Sequence, residues 1–175
     1  MGLTLREAPV EIPWVKDYDT IKGEGPARWA KRFDVSNWGL FAAYEAGTRV
    51  GGAVIAFNTA GVNMLEGRSD LAVLWDLRVR PEVRRTGIGS ELFTATETWA
   101  RASGCRSLKV ETQNINVPAC CFTGDRAAPS ARWTDLHIQT FRTRFSSSGS
   151  SNFEIRHQRS AGIRLRYDLS DAQND

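Results

Sequence analysis

A single mixed-sheet α/β domain is the fold this sequence predicts. Three observations carry the prediction: two apolar runs joined by a short turn, an alternating strand leading through a glycine turn into an amphipathic helix, and a second alternating strand after that helix. The first pattern pairs antiparallel. The strand, helix, strand order that follows, closed by a right-handed crossover, sets two strands parallel and side by side. With 175 residues, 41% hydrophobic content and six Trp, the chain can bury one core of ordinary size.

In chain order, the first 35 residues mix Pro9, Pro13, Gly23, Gly25 and Pro26 with charges, and Trp14, Trp29 and Phe33 follow no sustained period. This reads as a long loop with room for one helical turn. Residues 38–44 and 50–58 are apolar or small, with Glu45, Ala46, Gly47 and Thr48 between them, which predicts a hairpin. Residues 71–79 alternate, with Leu71, Val73, Trp75, Leu77 and Val79 on one face and Asp76, Arg78 and Arg80 on the other, until Pro81 stops the strand. Between 90 and 103 the positions Leu92, Phe93, Thr96, Trp99 and Ala100 recur at three and four, and Gly104 marks a helix end. Residues 107–112 set Leu108, Val110 and Thr112 against Lys109 and Glu111, and Asn116 with Pro118 reads as a cap and first turn.

Composition excludes several function classes. The net charge of +3 comes from basic residues scattered singly or in pairs, not from a stripe interleaved with aromatics, which argues against a nucleic-acid surface. Lys occurs only at Lys16, Lys22, Lys31 and Lys109, an Arg-heavy balance that hints at a GC-rich gene. Cys105, Cys120 and Cys121 support neither a disulfide framework nor a metal site with two paired cysteines, and all three read as reduced. No apolar run approaches the roughly 18 residues of a membrane span, and residues 1–10 lack a leader pattern, so the cytoplasm is the expected compartment. His137 and His157 read as surface residues.

The informative segment is Val79-Arg80-Pro81-Glu82-Val83-Arg84-Arg85-Thr86-Gly87-Ile88-Gly89-Ser90, where a strand gives way to a helix across an Arg-x-x-Gly-x-Gly spacing. Without side chains at Gly87 and Gly89, a phosphate can approach the free N–H groups of the first helical turn, where the macrodipole also favours an anion. Arg84 and Arg85 add charge-assisted donors. A tight turn with glycines serving conformation alone is the alternative. No Gly-Lys-Ser/Thr follows for a nucleoside triphosphate, and no third glycine completes a dinucleotide fingerprint.

This turn resembles the coenzyme-A turn of the GNAT N-acetyltransferase superfamily. The run Val110-Glu111-Thr112-Gln113-Asn114-Ile115-Asn116-Val117-Pro118-Ala119-Cys120 is similar to the strand-to-helix junction of its streptothricin acetyltransferase-like members, and is the more specific match. The resemblance implies a GNAT acyl-CoA N-acyltransferase domain, incomplete at both ends, with one strand splayed from its parallel neighbour at the coenzyme cleft. It implies acetyl-CoA as co-substrate, no metal, and a small-molecule primary amine as acceptor, with streptothricin-like antibiotics the first guess. It leaves oligomeric state open, a homodimer included. By the same resemblance Leu77 and Val79 offer backbone groups to the pantetheine arm. Arg84, Arg85, Thr86, Gly87, Ile88, Gly89 and Ser90 wrap the pyrophosphate, and Asn116 contacts the coenzyme near the thioester. Asp76 stands where members often carry an acidic residue able to draw a proton from the substrate ammonium; otherwise it is a solvated strand residue or pairs with an Arg. Glu111 is a second candidate base. Cys120 and Cys121 have no His in the matching part of the chain to activate a thiolate, so direct transfer fits better than a covalent intermediate. A remnant that binds coenzyme A without catalysis is the rival expectation.

The match covers residues 3–122, which divides the chain into a partial acetyltransferase domain at 1–122 and an atypical tail at 123–175. Family members continue after Phe122 with a Tyr that acts as general acid, and here Thr123 follows. The tail has a Ser-rich stretch at 146–151, eight Arg and no Lys. One nucleotide lost after the codon for Phe122 would explain it: shifting the frame by one base allows the missing Tyr and a Leu-Pro-Asp-Glu-Val-Gln-Leu segment typical of these relatives. A natural Arg-rich disordered extension is the alternative. The amino terminus resembles a segment that follows one strand and two helices in complete members, so unpaired sheet edges and poor solubility are expected.

Overall fold

The computed structural model describes residues 11, 25–113, 116–126, 132–134, 138–144 and 163–167. The chain divides into two compact units, residues 1–32 and 33–175. In the first, Pro26–Arg28 form a 3-10 turn that runs into a single helical turn, α1 (Trp29–Arg32), as the sequence led us to expect. The other residues of the expected N-terminal loop, Glu11 and Gly25 apart, lie outside the described ones.

In the second unit the hairpin forms between β1 (Gly39–Glu45) and β2 (Thr48–Phe57). Its turn is tighter than the four residues expected. Glu45 and Thr48 are already paired, leaving Ala46 (φ 47) and Gly47 (φ 81) to turn the chain. Two left-handed residues suit a two-residue hairpin, because their twist matches that of the strands. β3 (Leu71–Val79) runs antiparallel to β2 and parallel to β4 (Ser107–Gln113), with the crossover made by α2 (Ile88–Ala102). α3 (Val117–Gly124) follows β4.

α2 buries Ile88, Leu92, Phe93, Ala95 and Ala100 against Phe41, Ala43, Ala53, Ile55, Ala72, Leu74, Leu108 and Val110 of the sheet. Each large aliphatic side chain so enclosed contributes about 1.5–3 kcal/mol. Thr96, fully buried on the same helix, donates its hydroxyl to the Phe93 carbonyl at 2.7 Å, so no polar group is orphaned there.

The expectation of one continuous alternating face on β3 requires correction. Ala72 and Leu74 belong to the cluster under α2, and so do Leu77 and Val79. Leu71 and Val73 are buried outside that cluster, and Trp75 packs on Phe33 and Trp38 at centroid distances of 5.5 and 5.3 Å. The cause is a β-bulge. Val54 of β2 faces Asp76 and Ile55 faces Leu74, so Trp75 is the extra residue between those two pairs and the parity of the strand changes there.

The expectation of bare sheet edges is also not met. Three strands from the tail, β5 (Arg132–Thr134), β6 (Ile138–Arg144) and β7 (Ile163–Tyr167), complete a sheet of order β5-β6-β4-β3-β2-β1-β7. β6 runs antiparallel along the whole of β4, and β7 along Phe41 to Glu45 of β1.

Candidate functional site

The two parallel strands part company within the sheet. β3 and β4 pair only from Leu71↔Ser107 to Leu74↔Val110. Beyond that point β4 continues on β6, while β3 bends away through the Trp75 bulge and keeps only β2 beside it, along Asp76 to Val79. Among the described residues no strand takes up the β4-facing side of residues 75–79. Leu77 and Val79, half-buried against the α2 core, therefore lie on a backbone edge that no other described strand pairs. The expected splay is present, and the bulge against β2 lies where the pairing with β4 ends.

At the end of β3 the chain is tied down before it turns. The N–H of Arg80 donates to Val50 at 2.9 Å, and residues Pro81–Val83 form a 3-10 turn. Arg84 donates its Nε to the Val79 carbonyl at 3.0 Å, and the Thr86 hydroxyl donates to Val83 at 2.7 Å. Arg85 (φ 66) and Gly87 (φ 99) then take left-handed conformations, and the Gly87 carbonyl accepts the N–H of Glu91 at 3.1 Å. Ile88, Gly89 and Ser90 consequently begin α2 with N–H groups that have no acceptor one turn earlier. Arg84, Arg85, Thr86 and Gly87 are exposed around them, Ile88 is buried, and Gly89 and Ser90 are half-buried. The two glycines differ in what they do. A Cβ on Gly87 would meet nothing, so its φ is the reason for glycine, whereas a Cβ on Gly89 would touch Phe122 at 3.6 Å and Val79 at 3.7 Å.

Asn116 caps α3: its side-chain oxygen accepts the Ala119 N–H at 3.3 Å, and its carbonyl accepts that of Cys120 at 3.0 Å. Thr123 is 4% exposed, and its hydroxyl donates to carbonyls of its own helix, those of Ala119 and Cys120. It is therefore not presented as an acid.

Both carboxylate candidates lie on the sheet face away from α2, by the pleat alternation from Leu77 and from Val110. Asp76 is ion-paired with Arg78 at 2.9 Å, two residues along the same face. Glu111 pairs with the Lys109 ammonium at 2.9 Å, and Glu66 reaches the same ammonium at 3.3 Å. With only 11% of its side chain exposed, Lys109 needs that double pairing, because an unpaired buried charge is strongly destabilising.

Two of the three thiols are buried. Burial and the charge of Asp70 push Cys105 up to about 11, and burial raises Cys120, whose Sγ donates to the Gln113 carbonyl at 3.3 Å. All three cysteines are free, and only Cys121 is exposed. Among the described residues no group of three or more His, Cys, Asp or Glu could hold a metal ion, and no helix is long and apolar enough to cross a membrane.

Sequence reasoning missed the Trp75 bulge, the Lys109 pairing and the contact of Arg126 with Ser90. The bulge left a trace in the spacing of three between Leu74 and Leu77, both of which face α2.

Residues 8–123, more than half of the chain, match the Acetyltransferase (GNAT) family. The chain is 27% identical over 118 residues to a streptothricin acetyltransferase of Streptomyces lavendulae, covering 67% of itself and 58% of that relative. It thus spans little more than half the length of that curated relative. Among solved structures it is similar to a nourseothricin acetyltransferase, with a TM-score of 0.55 and 22% identity over 81% of this chain and 76% of that one. It is also similar to the PaiA N-acetyltransferase of Thermoplasma acidophilum in complex with coenzyme A, with a TM-score of 0.52 and 18% identity over 63% of this chain and 64% of that one. At these identities the structures establish a shared fold.

Proposed function

We propose that this chain, which belongs to the acetyltransferase (GNAT) family, transfers the acetyl group of acetyl-CoA to a primary amine of a small molecule. The observation that carries the proposal is the cleft where β3 leaves β4, with the glycine turn and the start of α2 at its end. The residues there fit a diphosphate: three helix-opening N–H groups without backbone acceptors, an exposed glycine beside them, and the guanidinium groups of Arg84 and Arg85. Ligands of parallel α/β sheets bind beyond the carboxyl ends of the strands, which is where this turn lies. Bound there, acetyl-CoA would supply an acyl group already activated as a thioester.

The chain's own part is to bind, orient and move a proton. The open edge of Leu77 and Val79 would orient the pantetheine arm through backbone groups, and the Asn116 side chain would combine its capping bond with a contact near the thioester. Asp76 would take the proton of the substrate ammonium, directly or through water, with Glu111 the second candidate; the partners Arg78 and Lys109 hold these carboxylates in place. Streptothricin-like antibiotics are the first acceptors to test, because the similar curated relative acts on streptothricin by its name. The reading implies the cytoplasm, where acetyl-CoA is available, and requires no nucleic acid, membrane or second copy of the chain.

The test is incubation of the full chain with acetyl-CoA and a streptothricin, following free thiol and the acetylated antibiotic by mass spectrometry. Product formation supports the proposal. Acetyl-CoA binding without thiol release would instead favour a coenzyme-binding remnant. Thr123 is the specific observation behind that second reading, since its buried hydroxyl is committed to its own helix. A tail at 123–175 translated from a shifted frame would account for the residue. Sequencing the natural gene across the codons for Phe122 to Phe153 decides it, and an unshifted frame there removes the explanation.

A further inference from the structure

One side chain outside the residues assigned above joins the two helices that frame the turn. Arg126, just past the end of α3, donates Nη2 to the Ser90 hydroxyl at 2.6 Å in the first turn of α2, and Nη1 to the Phe122 carbonyl at 3.0 Å. Its guanidinium carbon lies 4.0 Å from the centroid of the Phe122 ring. That ring stands edge-on to Phe93 of α2 at 5.9 Å and reaches the bare side of Gly89. Phe93, Phe122 and Arg126 therefore form one continuous line of contacts that closes onto Ser90.

The electrostatics of this contact call for an anion. A guanidinium beside the opening turn of a helix faces the positive end of the macrodipole, and Arg84 and Arg85 bring like charge to the same turn. Glu91 is the acidic residue of that first turn, and Glu97, further along α2, feels the charge of both Arg101 and Arg126. The bonds to Ser90 and Phe122 take one N–H each from Nη2 and Nη1 of Arg126, and the planar guanidinium fixes the two in one geometry.

We propose that Arg126 is a positioning residue for the coenzyme diphosphate: it locks Ser90 and the first turn of α2 against α3, so that the N–H groups of Ile88, Gly89 and Ser90 are held ready for the anion. This rests on the assignment of the glycine turn as the coenzyme site. The test titrates the full chain with coenzyme A and with dephospho-coenzyme A, which keeps the diphosphate but lacks the 3′-phosphate. The proteins compared are the wild type, Arg126→Ala, Arg126→Lys, Ser90→Ala and the double variant Ser90→Ala with Arg126→Ala.

Arg126→Ala weakens both ligands about tenfold, and Arg126→Lys, which keeps the charge but loses the fork, falls between it and wild type. The double variant loses less than the product of the two single losses, because the residues act through one contact. Equal affinity of wild type and Arg126→Ala overturns the proposal, even if the variant melts earlier. So does a loss confined to coenzyme A, since that would place Arg126 at the 3′-phosphate. If Arg126→Ala does not fold, Arg126→Lys and Ser90→Ala decide by the same criteria. Failure of the wild type to bind either ligand brings down the coenzyme-site assignment itself.

Discussion

The two halves of β3 differ in composition and in fate: residues 71–74 are all apolar, whereas Asp76 and Arg78 interrupt the apolar residues of 75–79. Leu71 to Leu74 pair with β4 on one side, and all four are buried. Among the described strands only β2 runs beside Trp75 to Val79, which are half-buried except for exposed Arg78. The first half is core, in which both backbone edges and both side-chain faces are enclosed. The second half trades one row of ladder bonds for an open edge. The pairing with β4 ends at Leu74, next to the residue at which β3 bulges against β2.

The difference can be broken at the open end with the largest effect. Gly87→Trp puts a bulky side chain at φ 99 beside the opening N–H groups, and should abolish coenzyme binding in a calorimetric titration. Unchanged affinity would remove the glycine turn from the site. The milder Gly87→Ala should cost about 1–2 kcal/mol of stability from left-handed strain alone.

Truncations within the strand should separate its halves by stability. Leu74→Ala, in the doubly paired half, should lose roughly 2–5 kcal/mol in urea unfolding. Leu77→Ala should lose clearly less, because its neighbourhood is already partly open. Equal losses would mean that the second half is as enclosed as the first. Asp76→Asn should leave the fold intact and lower turnover mainly below the acceptor's pKa, where the amine carries the proton that must be removed. A pH profile identical to wild type would return Asp76 to the purely structural pairing with Arg78. The smallest effect is chemical. A thiol reagent at neutral pH should label Cys121 alone in the native protein and all three cysteines after denaturation, because Cys105 and Cys120 are buried with raised thiol pKa values. Early labelling of Cys120 would show that α3 opens from the sheet.

Much of this was legible in the sequence because it is periodic or local. The hairpin, the α2 stripe of Leu92, Phe93 and Ala100, and the Asn116 cap each depend on residues a few positions apart. The strand-to-helix turn was legible for the same reason. What escaped depends on parity or distance. A bulge adds no composition signal, so Trp75 read as an ordinary inward residue. The bond from Arg126 to Ser90 spans 36 positions and repeats no pattern. Strands β5, β6 and β7 escaped because the tail that holds them is Arg-rich with a Ser-rich stretch at 146–151, although Ile163, Leu165 and Tyr167 alternate with Arg164 and Arg166.

The bulge has one more consequence, for anyone who would edit this gene. Since Leu74 and Leu77 both face α2 across two intervening residues, removing Trp75 alone would restore strict alternation without turning any remaining side chain of β3 over. A one-codon deletion is ordinarily ruinous in a strand because it inverts everything downstream. Here it would straighten the strand and take one ring from the Phe33 and Trp38 group, leaving the hydrophobic code intact. Trp75 is in this sense an inserted residue whose removal keeps every other side chain of β3 on its present face.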